Sequence, residues 1–254
     1  MQIKQSVSWW CVDNRGVSTS DLLRAVKAIG YSGVELIAAE HFSLVRDLGL
    51  TIAAHTAQSG IDSGFNDPSQ HDRLEREILA SLDLATKYEI PNLIVFSGNR
   101  QEGVSEGEAA EHTAAGLRRV TKAAEEAGIT LIVELLNSKV DHKGYQCDTS
   151  TWGIEVCKLV DSPRVKLLYD IYHMQIMEGD LIRTIETNHT YFGHYHTGGV
   201  PGRHDLDDTQ EIYYPAVVRA IAATGYDGYL GHEFIPKGDP VAALEQAYRV
   251  CDVY

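Results

Sequence analysis

A (β/α)₈ barrel is the fold class that this sequence predicts, and three observations predict it. Short β-rich segments alternate with longer helix-compatible ones along the whole chain. The β-rich segments number eight, and eight βα units in 254 residues are the size and rhythm of such a barrel. The main competitor, a doubly wound open sheet, usually has fewer strands and requires a glycine-rich phosphate loop after the first one. The corresponding stretch here, "SWWCVDNRGVSTS", is no such loop. No linker, low-complexity run or break in composition interrupts the chain, so residues 1–254 read as a single barrel domain.

The strand candidates, in order, are "IKQSVSWW", "GVELIA", "TIAAHT", "NLIVFSG", "TLIVELLN", "VKLLYDIY", "YFGHYHTGG" and "GYLGHEF". Each precedes a segment compatible with helix. Examples of those segments are "STSDLLRAVKAIG", "DPSQHDRLEREILASLDLATKYE" and "SEGEAAEHTAAGLRRVTKAAEEAG". "STSD" and "SEGE" offer a capping hydroxyl followed by acids in the first turn, which marks a helix start. Gly30, Gly128 and Gly225 stand where helices should stop. The phrases "AIGYSGVEL", "EAGITLIVE" and "ATGYDGYLG" each read as helix, glycine cap and next strand.

Composition narrows the function. The formal net charge is -14, and a chain this acidic repels a phosphate backbone, which argues against a nucleic-acid partner. Apolar content is 44% and charged content 23%, both ordinary for a soluble globular protein. No apolar stretch is long enough to span a membrane, and the start "MQIKQSVSWW" lacks the pattern of a signal peptide. The four cysteines are scattered without a CxxC pair, so free thiols in a reducing cytoplasm are expected.

In a barrel, active-site residues sit at the C-terminal ends of strands. Strand three offers His55, strand five Glu134, strand six Asp170, strand seven His194 and His196, and strand eight His232 and Glu233. Side chains alternate between the faces of a strand. In that phase Glu134, Asp170, His196 and Glu233 can all point to the barrel axis, one from each of four consecutive strands. Three carboxylates cannot share a partly buried site without a cation or shared protons. A divalent metal resolves this, and three carboxylates with one imidazole suit manganese, magnesium, cobalt or zinc. The blander reading is that a single strand-end acid caps a helix or holds a nearby Arg or Lys. His173, just past strand six, is a candidate substrate contact or a loop cap. Arg203, in "GGVPGRHDLDD", is the best candidate for gripping an anionic or hydroxyl-rich substrate, because its fork fits carboxylates. His204 is a weaker candidate. His55 is a further substrate-binding candidate, and Trp9 and Trp10 are candidate pocket walls.

The phrases "VELLN", "YDIYHMQIMEGD", "GHYHTGGVPGRH", "DTQEIYYPAVV" and "GYDGYLGHEF" together resemble the hydroxypyruvate isomerase family, within the wider xylose-isomerase-like barrels. The resemblance covers about Leu131 to Pro236. It implies that Glu134 and Glu233 are the catalytic glutamates, that Asp170 is a metal ligand, and that His173 and Arg203 contact substrate. Two positions depart from pattern. His196 stands where hydroxypyruvate isomerases carry Gln, as it does in the related ketose 3-epimerases. Val140 stands where those epimerases carry a second Glu after the one on strand five.

The resemblance implies a metal-assisted isomerase acting on a small hydroxy-carbonyl substrate, hydroxypyruvate-like or sugar. The metal holds the carbonyl and adjacent hydroxyl, an enediolate forms, and the glutamates move the proton. Epimerisation shares the enediolate and differs in where the proton returns. Elimination, as in sugar dehydratases and lyases of the superfamily, would expel a β leaving group from the same carbanion. A non-catalytic sugar-binding barrel is the non-enzyme alternative, and it leaves the Glu134 and Glu233 pair without a purpose. Barrels of this kind often form homo-oligomers, but no helix face here is apolar enough to name an interface.

Overall fold

The computed structural model describes residues 3–13 and 15–253. The first strand, β1 (Lys4–Ser8), leads through a short 3₁₀ turn at Trp9–Cys11 to α1 (Thr19–Ile29) and β2 (Gly33–Glu35). Then come α2 (Phe42–Asp47), β3 (Thr51–Ile52), β4 (Ala54–Thr56), α3 (His71–Tyr88) and β5 (Asn92–Val95). The centre of the chain supplies α4 (Glu106–Ala127), β6 (Thr130–Glu134), α5 (Ser150–Val160), β7 (Val165–Asp170), α6 (Ile171–Met177) and α7 (Leu181–Asn188). It closes with β8 (Phe192–Thr197), α8 (Tyr214–Ala223), β9 (Tyr229–His232) and α9 (Pro240–Cys251).

The sheet runs in the order β3-β2-β1-β9-β8-β7-β6-β5-β4. Its ladders β1–β2, β1–β9, β2–β3, β5–β6, β6–β7 and β8–β9 are all parallel. The order starts on β3 and ends on β4, strands separated in sequence by Ala53 alone, which is the strand order of a nearly closed barrel. The segment "TIAAHT", expected as one strand, is therefore two, and nine strands stand among the described residues where eight are predicted. The first strand also stops earlier than expected, because Trp9 to Cys11 turn into 3₁₀ geometry.

Two compact units make up the chain. One runs to Ala54, resumes at Asp180–His189 and continues from His194 onward; the other is His55–Gly179 with Thr190–Gly193. In the first, α1 packs against α9, β1 pairs with β2 and β9, and the apolar residues Leu22, Leu23, Val26, Leu244 and Ala247 are buried. In the second, α3, α4 and α5 cover β5, β6 and β7, whose Leu93, Val95, Leu131, Val133, Leu167 and Tyr169 are buried.

Helix ends follow the chemistry of the sequence. Ser18 caps α1 by accepting from the Asp21 amide. Ser105 and Glu108 form a reciprocal capping box at the start of α4. Gly30 and Gly128 close α1 and α4, whereas α8 ends on Thr224 with Gly225 one residue beyond. The four cysteines are all buried, and none is in a disulfide. No helix among the described residues is long and apolar enough to cross a membrane.

Gly33 allows β2 to lie against β3. A Cβ there would sit 2.7 Å from the Thr51 carbonyl oxygen, which is backbone and cannot rotate away. Gly33→Ala should therefore destabilise the protein by about 1–3 kcal/mol through overpacking. The midpoint of urea unfolding checks this, and an unchanged midpoint would refute the tight β2–β3 contact.

Candidate functional site

In the first unit, strand register gathers a polar cluster. Glu35 ends β2 level with Ser8 of β1. His232 of β9 is level with Val7, so Glu233 falls beside Ser8 as well. His196 of β8 is level with Gly231 of β9. Side-chain alternation then sets Glu35, Ser6, Ser8, His196 and Glu233 on one face, and all five are buried.

Glu35 is the anchor of this cluster. Its Oε1 accepts from Ser6 Oγ at 2.7 Å. Its Oε2 receives Nε2 of His194 and Nε2 of His196, each at 2.9 Å. A carboxylate can only accept, so both imidazoles carry their proton on Nε2. Burial alone would raise the Glu35 pKa, but the two imidazoles outweigh it and hold the group well below the usual carboxylate range.

Glu233 is clamped from both sides. Ser8 Oγ donates to its Oε1 at 3.1 Å, and Trp10 Nε1 donates to the same oxygen at 2.6 Å. Arg203 Nη2 donates to its Oε2, and Arg203 Nε donates to its main-chain oxygen at 3.1 Å. His196 Nδ1 lies 2.7 Å from Oε2. Against the effect of burial, Arg203 and His196 keep the Glu233 pKa well below the usual value. For His196, burial pushes the pKa down, but Glu233 and Glu35 overcome it and hold the imidazole well above its ordinary range. The Nδ1 position therefore attracts positive charge strongly, whether that charge is a proton or a metal ion.

The loop carrying Arg203 is tied to the chain after β9. The Ile235 amide donates to the Arg203 carbonyl at 2.7 Å, the Lys237 amide donates to Asp205 Oδ2 at 2.9 Å, and His204 Nδ1 donates to the Ile235 carbonyl at 2.9 Å. Arg203 itself has a left-handed backbone, φ 57°, and its guanidinium lies 5.9 Å from the centre of the Trp10 ring. Trp10 is 49% exposed yet reaches a buried carboxylate, so of the two tryptophans it is the one that meets the site. His232 points elsewhere: Thr197 Oγ1 donates to its Nδ1 at 2.9 Å, and its Nε2 donates to Gln5 Oε1 at 2.7 Å. Burial lowers its pKa to about 3, so it is a neutral structural residue.

In the second unit, Glu134 ends β6 level with Leu168 of β7, and Asp170 lies two residues further along the same face. Both are buried. The Glu134 carbonyl accepts from Tyr145 OH at 3.0 Å, and that same hydroxyl accepts from the Ser97 amide at 3.1 Å. Asp170 caps α6, its Oδ1 accepting from the His173 amide at 3.2 Å. The expected helix cap thus coexists with the expected strand-end carboxylate. Fully buried His173 places Nε2 3.6 Å from Asp170 Oδ2. Its Nδ1 accepts from the Asn137 amide at 3.1 Å and from Asn137 Nδ2 at 2.6 Å. Those donors leave the His173 proton on Nε2, facing Asp170. Asn137 is held in turn by Asp141, whose Oδ2 accepts from Asn137 Nδ2 at 2.7 Å and from Tyr172 OH at 2.8 Å. His55 is half-buried in β4, and burial lowers its pKa.

Among the described residues, two buried groups could hold a metal ion: Glu35 with His194 and His196, and Glu134 with Asp170, His196 and Glu233. The second is the set expected from the sequence; His55 belongs to neither. The donor set fits a divalent ion. Three buried carboxylates call for a cation, and because His196 Nε2 is bonded to Glu35, Nδ1 on the Glu233 side is the nitrogen that can exchange its proton for an ion. Sequence reasoning missed Glu35, although "GVE" ends a buried strand on an acid just as "TLIVE" does.

The family model described as xylose isomerase-like TIM barrel matches residues 23–252. A Cupriavidus necator protein named 2-oxo-tetronate isomerase is 34% identical over 122 residues, 48% of this chain and 46% of that protein. A Danio rerio protein provisionally named hydroxypyruvate isomerase is 30% identical over 129 residues, 51% of this chain and 47% of that protein. The chain thus spans about half the length of these curated relatives. A crystal structure of a Brucella melitensis protein described as a family 2 AP endonuclease superposes with TM-score 0.84 at 25% identity, covering 96% of this chain and 97% of that one. The chain belongs to the xylose isomerase-like TIM barrel family.

The Tyr145 hydroxyl bridges two main-chain groups, one of them on Glu134 itself. Tyr145→Phe leaves both without that partner in a buried setting and should cost roughly 1–3 kcal/mol. Thermal or urea unfolding checks this; a variant as stable as the parent would show that Glu134 is positioned by other means.

Proposed function

We propose that this member of the xylose isomerase-like barrels is a metal-assisted isomerase of a small hydroxy-carbonyl substrate, hydroxypyruvate-like or sugar, working through an enediolate. The observation that carries the reading is the buried set Glu134, Asp170, His196 and Glu233, three acids and one imidazole suited to a divalent ion. The names of the curated relatives, both isomerases of small oxo acids, support the reaction class.

A divalent ion held by Glu134, Asp170, His196 and Glu233 (manganese, magnesium, cobalt or zinc) would supply Lewis acidity at the substrate's carbonyl and adjacent hydroxyl. The chain's own residues do the rest. Arg203 and His196 keep Glu233 ionised, so its carboxylate can accept a proton. Ser8 and Trp10 fix Oε1 of that carboxylate, which limits the directions from which it can act. One of Glu134 and Glu233 removes the carbon-bound proton, and the other, or the same one, returns it to the neighbouring carbon. Asn137 holds the His173 ring with its Nε2 proton facing Asp170, which orients that carboxylate. Arg203, bonded to Glu233, keeps its expected substrate role only if an anionic substrate competes for its fork.

Ketose 3-epimerisation is the second reading, and the presence of His196 on β8 favours it. Nucleic-acid cleavage is disfavoured by the net charge of -14.

An NMR time course in deuterated water with Mn²⁺ tests the proposal. Hydroxypyruvate should take up deuterium and yield tartronate semialdehyde. Exchange confined to a ketose would select the epimerase reading. Glu134→Gln and Glu233→Gln should each lower exchange by on the order of 10²-fold or more, and chelation with EDTA should abolish it. Exchange that survives both substitutions would sink the reading.

A further inference from the structure

Glu35 is a fully buried acid that the proposed chemistry does not use. It takes no part in the four-residue set, yet it touches one member of that set directly. Its two oxygens already accept three donors, from Ser6, His194 and His196. The fold makes room for it: a Cβ on Gly231 would lie 2.1 Å from Glu35 Oε1 and 2.8 Å from His196 Cδ2. Glycine at 231 is what lets a carboxylate lie under the His196 ring.

We propose that Glu35 is a positioning residue that fixes the ring orientation and tautomer of His196 so that Nδ1 is presented to the ion. The inference rests on the metal reading given above. A hydrogen-bonded carboxylate behind a ligating imidazole locks the tautomer and makes the ligand nitrogen more basic, and losing such a partner typically weakens metal binding about 10–100-fold. His194 shares the same oxygen and holds Glu35 from the other side, so the carboxylate cannot turn away without breaking two hydrogen bonds. As a ligand itself, Glu35 would have to give up those bonds, which makes the positioning role the better account of the same geometry.

Two substitutions separate the contributions. Glu35→Gln keeps the shape and an accepting oxygen but removes the charge. Glu35→Met keeps the volume and removes the acceptor. Calorimetric titration of the full chain with Mn²⁺ alone should show one ion per chain in the parent. Binding should be about 10-fold weaker in Glu35→Gln and about 100-fold weaker in Glu35→Met. The ¹⁵N shifts of the His196 ring should report an Nε2 proton held in a hydrogen bond in the parent and the loss of that hydrogen bond in Glu35→Met. Ser6→Ala removes the third hydrogen bond on Glu35 without touching either imidazole, and its Mn²⁺ affinity should stay within about 2-fold of the parent. If Glu35→Met does not fold, Glu35→Gln alone carries the test. Parent affinity and an unchanged ring signature in folded variants would overturn the proposal. Two ions in the parent and one in Glu35→Met would also overturn it, by making Glu35 a ligand. A parent that binds no Mn²⁺ would instead remove the metal reading on which the inference stands.

Discussion

Everything at this site depends on how buried carboxylates are kept charged. Glu35, Glu134, Asp170 and Glu233 are all buried. Taking one ionised carboxylate out of water costs several kcal/mol. A single opposite charge at roughly 3 Å returns about 5 kcal/mol at an effective dielectric near 20. One partner therefore only breaks even, and a stable buried acid needs more than one. Glu35 has two imidazoles and a hydroxyl. Glu233 has a guanidinium, an imidazole, an indole and a hydroxyl.

The surrounding structure is arranged to meet that need. Short β2 delivers Glu35 at the level of Ser8, and Gly33 lets that strand seat against β3. Gly231 clears the space that Glu35 occupies. The left-handed backbone at Arg203 and the ties from Ile235 and Lys237 bring a guanidinium back onto Glu233. In the other unit, Tyr145 holds the end of β6, and the Asn137–Asp141–Tyr172 chain holds His173 against Asp170. The proposed isomerisation would ask for such a combination: buried acids fixed in direction, with the pKa kept low as it is at Glu35 and Glu233.

Much of this was legible in the sequence, and the reasons are physical. The strand and helix rhythm is legible because a parallel barrel strand is a short apolar run and its helix is a longer amphipathic one. Glu134, Asp170, His196 and Glu233 stand out because each interrupts such a run at its C-terminal end, in phase. Glu35 obeys the same rule, but its strand is three residues long and the run continues as "LIA", which hides the interruption. The break at Ala53 is invisible because "TIAAHT" has no turn residue. Arg203 reads as a substrate contact by its chemistry; its bond to Glu233 comes from loop geometry that no local pattern encodes. Trp9 and Trp10 are both candidate pocket walls by sequence, but which of them meets the site is not legible there, since the 3₁₀ turn that buries one and aims the other is a tertiary outcome.

The central claim is that Glu134, Asp170, His196 and Glu233 hold one divalent ion, with Glu35 behind His196. Anomalous diffraction at the manganese edge, on crystals grown with Mn²⁺, tests it most directly. The account predicts a single peak within about 2.0–2.6 Å of those four side chains, with His196 bound through Nδ1 and its Nε2 still on Glu35. A peak bound instead by Glu35, His194 and His196 through Nε2, or no peak near Glu233, would contradict it.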